Sequence, residues 1–373
     1  MIPSYAANGV QTAKMCDAFA QTGHRVILIS SDHGASAPSD DTADFYGLSA
    51  PLPQRRVAWP KWGAATGYRF AIRAVRMVRR AGPDLVYTRS TRVAFASALL
   101  GVRTILELHT MDPVRRQDDA LVFRALCRLP SLRHIVTISH ALRRDLEAGF
   151  PCAVGRCIVA HDAATPPKPD VLPLDLGRRP GQPIVGYVGG LYPGKALEII
   201  QACAQRLPEF RFHVAGHVEA EGVAGRIGGN AHPNLHLHGF LPPSQTDAFR
   251  AACDILVAPY QSRVETFGGG GDVARWMSPL KLFEYMAAQR PIVCSDLPVL
   301  REVLTHRVNA LLCPPDDVDA WSQALIELHE DERLAGELAK SAFATFSQQH
   351  TYAARAEAVL GHPGRPDRDL PRS

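Results

Sequence analysis

Lys281 stands in the segment MSPLKLFEYMAAQRPIVCSDLP, residues 277–298. Ser278 fits a helix N-cap and Pro279 a first helical position. Leu280, Phe283, Met286 and Ala287 then recur at helical spacing. A cation in the first turn meets the positive end of the helix dipole, where it is disfavoured. A phosphate seated on the free N–H groups of that turn would reverse the sign and use both the backbone donors and Lys281. Glu284, three residues on, shares the same face and could accept hydrogen bonds from a ribose diol; a plain Lys281–Glu284 surface pair fits the same spacing. A second cation, Lys195, follows the strand-like PIVGYVG (183–189) and the turn Gly189-Gly190. It falls where open α/β sheets hold ligands, at the carboxyl end of a strand. The stretch is neither a G-x-G-x-x-G fingerprint nor a P-loop, yet two cations at strand ends of one half suit a diphosphate. His109 ends the strand-like RTILELH (103–109) in the other half, where a neutral imidazole could hydrogen-bond a hydroxyl or simply cap the loop.

These residues need a scaffold, and the chain supplies an alternation of strands and helices. Its 373 residues suit two domains. At 46% hydrophobic and 21% charged it is globular in composition. No apolar run reaches the roughly 18–20 residues of a membrane span, and no charged-apolar-small leader opens the chain. The 8 cysteines form no C-x-x-C pair and read as reduced, mostly buried thiols of a cytoplasmic protein. A net charge of +4 is too mild to imply a nucleic-acid partner. Helix 8–23, strand 24–30, strand 84–89, helix 93–101, strand 103–109, strand 134–139 and strand 157–162 make the first half. The Pro-rich 163–183 reads as a linker. Strands at 183–189, 210–216, 234–240, 254–259, 291–296 and 309–313, with helices from about Lys195, near 244–251 and from Ser278, make the second. Such alternation predicts parallel sheets.

GYVGGLYPGK, CDILVAPY, SPLKLFEYMAAQRPIVCSDLP and a late DVDAWSQALIEL resemble the retaining glycosyltransferases of family 4, and the resemblance runs over roughly residues 3–355. It implies a GT-B fold: two Rossmann-like domains facing across a cleft, with residues 1–165 binding the acceptor and 166–345 the nucleotide sugar. A helix at 346–360 would return to the first domain, and 361–373 would form a disordered tail. Lys195 is similar to the family lysine on the donor diphosphate, which Gly9, Gly190 and the backbone of Ser278, Leu280 and Lys281 would also approach. Glu284 matches the ribose-binding second glutamate of the paired-glutamate motif, and His109 a histidine near the transferred sugar. Retention in this family needs neither metal nor cofactor. Two departures stand out. Gly190 takes the place of a loop arginine, and Trp276 that of the first motif glutamate, while Glu265 lies too far upstream to replace it. The implied function is transfer of a sugar from a nucleotide diphosphate donor to a glycan or lipid-linked acceptor, in cell-surface polysaccharide synthesis. A sugar-nucleotide epimerase of the same fold and a catalytically degenerate glycan- or nucleotide-binding protein are the alternatives.

Residues 45–83 contain no Asp or Glu. Arg69, Arg73, Arg76 and Arg80 share one helical face, with Trp59 and Trp62 just before it. A basic amphipathic helix of this kind suits an anionic membrane surface, here the inner face of the plasma membrane, or else a plain solvated helix face. Finally, a Rossmann-like half normally opens with a central strand feeding its glycine loop. The loop Ala7-Asn8-Gly9 is here, but MIPSYAA reads as loop. The expectation is therefore a missing first strand encoded upstream, with 24–30 and 103–109 lacking their shared neighbour.

Overall fold

The alternation folds into sheets in which, among the described residues, every strand pair is parallel. The computed structural model describes residues 2–4, 6–32, 42–59, 66–115, 117–191, 194, 197–216, 232–264 and 272–361. In the first half β1 (Leu28–Ser31) pairs with β2 (Gln54–Val57). A separate four-stranded sheet has the order β3 (Leu85–Thr88), β4 (Arg103–Leu108), β5 (Leu132–Thr137), β6 (Cys157–Val159). The second half contains β7 (Ile184–Val188), β8 (Arg211–Ala215), β9 (Leu235–Gly239), β10 (Ile255–Ala258), β11 (Ile292–Ser295) and β12 (Leu311–Cys313). Their order is β12-β11-β10-β7-β8-β9, so the chain winds outward in one direction from β7 and in the other from β10. The seam between β7 and β10 is a topological switch point, where a crevice opens at the carboxyl edge. Strands β7, β10 and β11 are buried along their whole length. Helices cover both faces, which is why their sequences read as continuous Val/Ile-rich runs rather than alternating ones.

The expectation that residues 103–109 lack a neighbour is overturned. Strand β4 has β3 on one side and β5 on the other, so 103–109 lacks no neighbour. Among the described residues the first half holds two separate sheets, in which β1 pairs with β2 and β3 with β4. Residues 2–4 lie against the small sheet: the Ile2 carbonyl accepts from Gln54 Nε2 at 3.0 Å, and the same nitrogen reaches Ser30 Oγ at 2.7 Å. Strand β2 was not foreseen, because QRRV looks like part of the basic run.

That run supplies the helix Thr66–Ala81, which buries Ala71, Ala74, Val75 and Val78 and leaves Arg69, Arg73, Arg76 and Arg80 exposed. Trp62 lies outside the described residues. The helix Tyr352–Gly361 crosses from the second half to pack on Ala7–Gln21, sharing a core of Met15, Phe19, Tyr352, Ala356 and Val359. The tail 362–373 lies outside the described residues. One apolar core runs through both halves, from Leu108 and Phe123 to Tyr260, Trp276 and Phe283. Among the described residues no helix is long and apolar enough to cross a membrane.

Gly186 in β7 lets Cys253 pack against the strand: a Cβ there would meet Cys253 Sγ at 2.2 Å and its Cβ at 3.1 Å. Gly186→Ala is expected to destabilise the protein by about 1–3 kcal/mol through overpacking, read as a lowered midpoint in urea denaturation.

Candidate active site

The helix bearing Lys281 runs Leu280–Ala287, with Pro279 at the N-cap and no side chain capping it. Ser278 is therefore not the cap. Its hydroxyl instead accepts the Asp162 backbone N–H at 2.8 Å, across the junction of the halves. Lys281 is only 7% exposed. Its ammonium sits 3.8 Å from the Tyr187 ring centroid and 5.1 Å from that of Tyr260, a cation–π arrangement. Tyr187 belongs to the end of β7 and Tyr260 follows β10, so the cation stands at the switch point. The loop beyond β7 makes room for it. Gly189 has φ +150°, and a Cβ there would come within 2.8 Å of Lys281 Nζ. Tyr187 donates to the Gly190 carbonyl at 3.0 Å, and the Tyr285 hydroxyl takes the Val188 N–H at 2.8 Å. The turn Gly189-Gly190 is thus pinned to the strand behind it and to the Lys281 helix. Lys195 lies outside the described residues.

No Lys281–Glu284 pair forms. Glu284 Oε2 accepts from Arg250 Nη1 at 3.1 Å, and Arg250, itself 4% exposed, also binds Asp247. The Glu284 side chain remains 28% exposed, with Oε1 not used by Arg250. Lys14, on the helix Ala7–Gln21, is within electrostatic reach of Asp247 and Glu284. Burial nevertheless lowers its affinity for a proton. Gly9 lies in the first turn of that helix rather than in a loop before it, and a Cβ there would meet Ser4 Oγ and the Tyr46 hydroxyl at 2.8 Å.

His109 closes a buried polar network that the sequence did not reveal. Its Nε2 meets Oε1 of Glu107, two residues back in β4. Glu107 is 1% exposed. Its Oε1 also accepts from Gln11 Nε2 at 2.9 Å, and its Oε2 from Arg355 Nη2 at 2.9 Å. Arg355 projects from the C-terminal helix Tyr352–Gly361 and also reaches the His161 carbonyl at 2.8 Å and Tyr87 Oη at 3.3 Å. Burial works against ionising Glu107, but the Arg355 guanidinium and then His109 overcome it and hold the carboxyl at about 2. Burial, joined by Arg89, lowers the affinity of His109 for a proton, and the carboxylates of Glu107 and Asp162 only partly offset this. Arg89 is itself pulled down to about 10 by burial. Asp162 links this network to the helix bearing Lys281: its carboxyl lies within electrostatic reach of His109 while its N–H is held by Ser278 Oγ. Two signals could have exposed the network: a carboxylate inside an otherwise apolar strand, and an arginine on the apolar side of YAARAEAVL.

Trp276 is 5% exposed and serves as a clamp between the halves. Its Nε1 donates to Asp145 Oδ2 at 2.7 Å, and its carbonyl accepts from Ser139 Oγ at 2.9 Å. Close by, Glu302 accepts the N–H groups of His140 and Ala141 at 2.7 and 2.8 Å, capping the helix His140–Gly149 from the opposite half. Glu265 lies outside the described residues.

Two parallel Rossmann-like halves, with a lysine at the switch point of one and a histidine at a strand end of the other, define a GT-B scaffold. Residues 9–162 match the family Glycosyltransferase Family 4, and residues 182–331 match Glycosyl transferases group 1. The chain belongs to this glycosyltransferase family. It is 30% identical over 303 residues to a D-inositol 3-phosphate glycosyltransferase of Mycolicibacterium gilvum, covering 75% of this chain but only 60% of that relative's length. Its fold is similar to the sucrose-phosphate synthase of Thermosynechococcus elongatus, with TM-score 0.70, 16% identity, and 95% and 92% of the two chains covered. HepE from Anabaena, solved in complex with UDP-glucose, superposes with TM-score 0.63 at 17% identity over 90% of this chain and 99% of its own.

The depressed Glu107 carboxyl makes stability depend on acid. Its folded value of about 2 lies below the ordinary 4.5, so the unfolded chain takes up the proton first as the pH falls. The contribution is whole above about 4.5 and disappears as the pH drops toward about 2. Denaturation midpoints measured across this window are expected to fall in the wild type, and to fall less steeply in Glu107→Gln/Arg355→Met, where the buried pair is neutral.

Proposed function

We propose that the chain is a retaining, metal-independent glycosyltransferase that moves a sugar from a nucleotide diphosphate donor to a hydroxyl of a glycan or lipid-linked acceptor. The observation that carries this reading is Lys281, held at the switch point between Tyr187 and Tyr260 beside the glycine turn. A buried cation beside uncapped helical N–H groups is a seat for a diphosphate. In this reading Lys195, Lys281 and the N–H groups of Leu280 and Lys281 hold the diphosphate, Gly9 and Gly190 allow close approach, and Glu284 Oε1 accepts from the ribose. His109 hydrogen-bonds a hydroxyl of the transferred sugar. The bond from the sugar's C1 to the diphosphate breaks, and the departing phosphate oxygen takes the proton of the acceptor hydroxyl. The acceptor oxygen then bonds C1 from the same face. The lysines and the helix dipole stabilise the charge that develops on the diphosphate.

A UDP-sugar is the first donor to test, since HepE was solved with UDP-glucose. Transfer or hydrolysis by the purified chain, over a panel of nucleotide sugars, tests the reading; a binding-only protein shows no turnover with any donor. Trp276 favours that second reading to a degree, because the position of the first motif glutamate holds an indole committed to Asp145. Lys281→Ala is expected to weaken nucleoside-diphosphate binding about tenfold or more, the loss of one charge-assisted contact. Glu284→Gln should weaken nucleosides with and without phosphate. Calorimetry distinguishes the two effects, and unchanged affinities would remove these residues from the site.

The acceptor side of the proposal includes an anionic membrane surface. Arg69, Arg73, Arg76 and Arg80 are exposed on one face of Thr66–Ala81, flanked by the exposed Tyr68 and Ile72. Sedimentation with phosphatidylserine-containing vesicles should show binding at low salt that is lost at high salt and in Arg73→Glu/Arg76→Glu. Binding that survives both would show that this helix is not the contact.

A further inference from the structure

We propose that Glu107 and Arg355 are positioning residues for His109, fixing its imidazole in the Nε2–H tautomer so that Nδ1 is the acceptor offered to a substrate hydroxyl. The inference rests on the reading of His109 as a sugar-contacting residue, and on the way in which the Glu107 carboxylate is used. Its Oε2 takes Arg355 Nη2 at 2.9 Å, while its Oε1 takes Gln11 Nε2 at 2.9 Å and meets His109 Nε2. An ionised carboxylate only accepts hydrogen bonds. With Arg355 and Gln11 both donors, the bond from His109 must also be donated by its nitrogen, so the ring proton sits on Nε2. A neutral imidazole then has a single lone pair left, on Nδ1. The charges around the ring are Arg89 from the end of β3, Glu107 from β4 and Asp162 from beyond β6, with Arg355 behind Glu107. The side chain is 17% exposed while that of Glu107 is fully enclosed, so the imidazole keeps some access while its anchor is buried.

The arrangement makes the C-terminal helix part of the site. Arg355 uses its guanidinium on Glu107, Tyr87, and the carbonyls of Ala160 and His161. These partners come from β4, β3 and the segment beyond β6, so the helix Tyr352–Gly361 must dock before Glu107 is held ionised. Gln11 brings in the helix that carries Gly9. One carboxylate therefore ties the glycine-bearing helix, the His109 strand and the returning helix into a single register.

The test is long-range proton–nitrogen NMR on full-length protein labelled with 15N-histidine, with the His109 signals assigned by their loss in His109→Gln. The wild type is expected to show the Nε2–H tautomer for His109; an Nδ1–H tautomer overturns the proposal without any variant. Glu107→Gln/Arg355→Met should lose the single tautomer, with kcat reduced about tenfold to a hundredfold and donor KM within about twofold, as expected when a reacting geometry loosens. Arg355→Lys, which keeps the charge, should retain the tautomer and recover most of kcat. A double variant that is folded by circular dichroism and keeps both the Nε2–H tautomer and wild-type kcat would also overturn it. If the wild type turns over no donor yet shows a tautomer that the double variant loses, the positioning stands and the transferase reading fails.

Discussion

The ion pair between Arg355 and Glu107 is the constraint around which the first half is organised. The two residues are 248 positions apart and both are almost fully enclosed. Each charge would be costly to bury alone, and removing one partner from such a pair leaves the other uncompensated, at about 3–5 kcal/mol. The carboxylate also accepts from Gln11 and meets His109, and the guanidinium is shared among side chains and carbonyls. A pair engaged on this many partners favours one arrangement of its elements, because separating them leaves a buried charge short of a partner. It also ties in the helices Ala7–Gln21 and Tyr352–Gly361, which share one apolar core.

The junction between the halves follows the same logic with weaker groups. Glu302 caps a helix of the other half, Ser278 takes the Asp162 N–H, and Trp276 and Arg275 share Asp145. Three of these contacts come from residues immediately before the helix bearing Lys281, so that helix is anchored where the halves meet. At position 276 the indole provides a buried donor that joins the halves.

The two sides of the site differ in how they are built. Around Lys281 the protein leaves room: glycines in the β7 turn, aromatic faces below the ammonium, and helical N–H groups without a side-chain cap. Around His109 it leaves little freedom, because one ring nitrogen is committed to a carboxylate that is itself fully engaged.

The sequence alone determined the parallel α/β halves, the strand ends carrying Gly189-Gly190 and His109, the anomaly of Lys281, and the exposed arginine face of residues 66–81. These are local properties: hydrophobic period, turn chemistry and the sign of a helix dipole act over a few residues. Tertiary structure alone decided that Ser278 bonds Asp162 instead of capping its helix, that Glu284 pairs with Arg250 34 positions away, and that Trp276 reaches Asp145 across 131. It also gave β4 a strand on each side, where the sequence suggests a missing neighbour. Polar side chains choose their partners when water is withdrawn from them. Which groups lose water together is a property of the packed chain, and no local spacing encodes it.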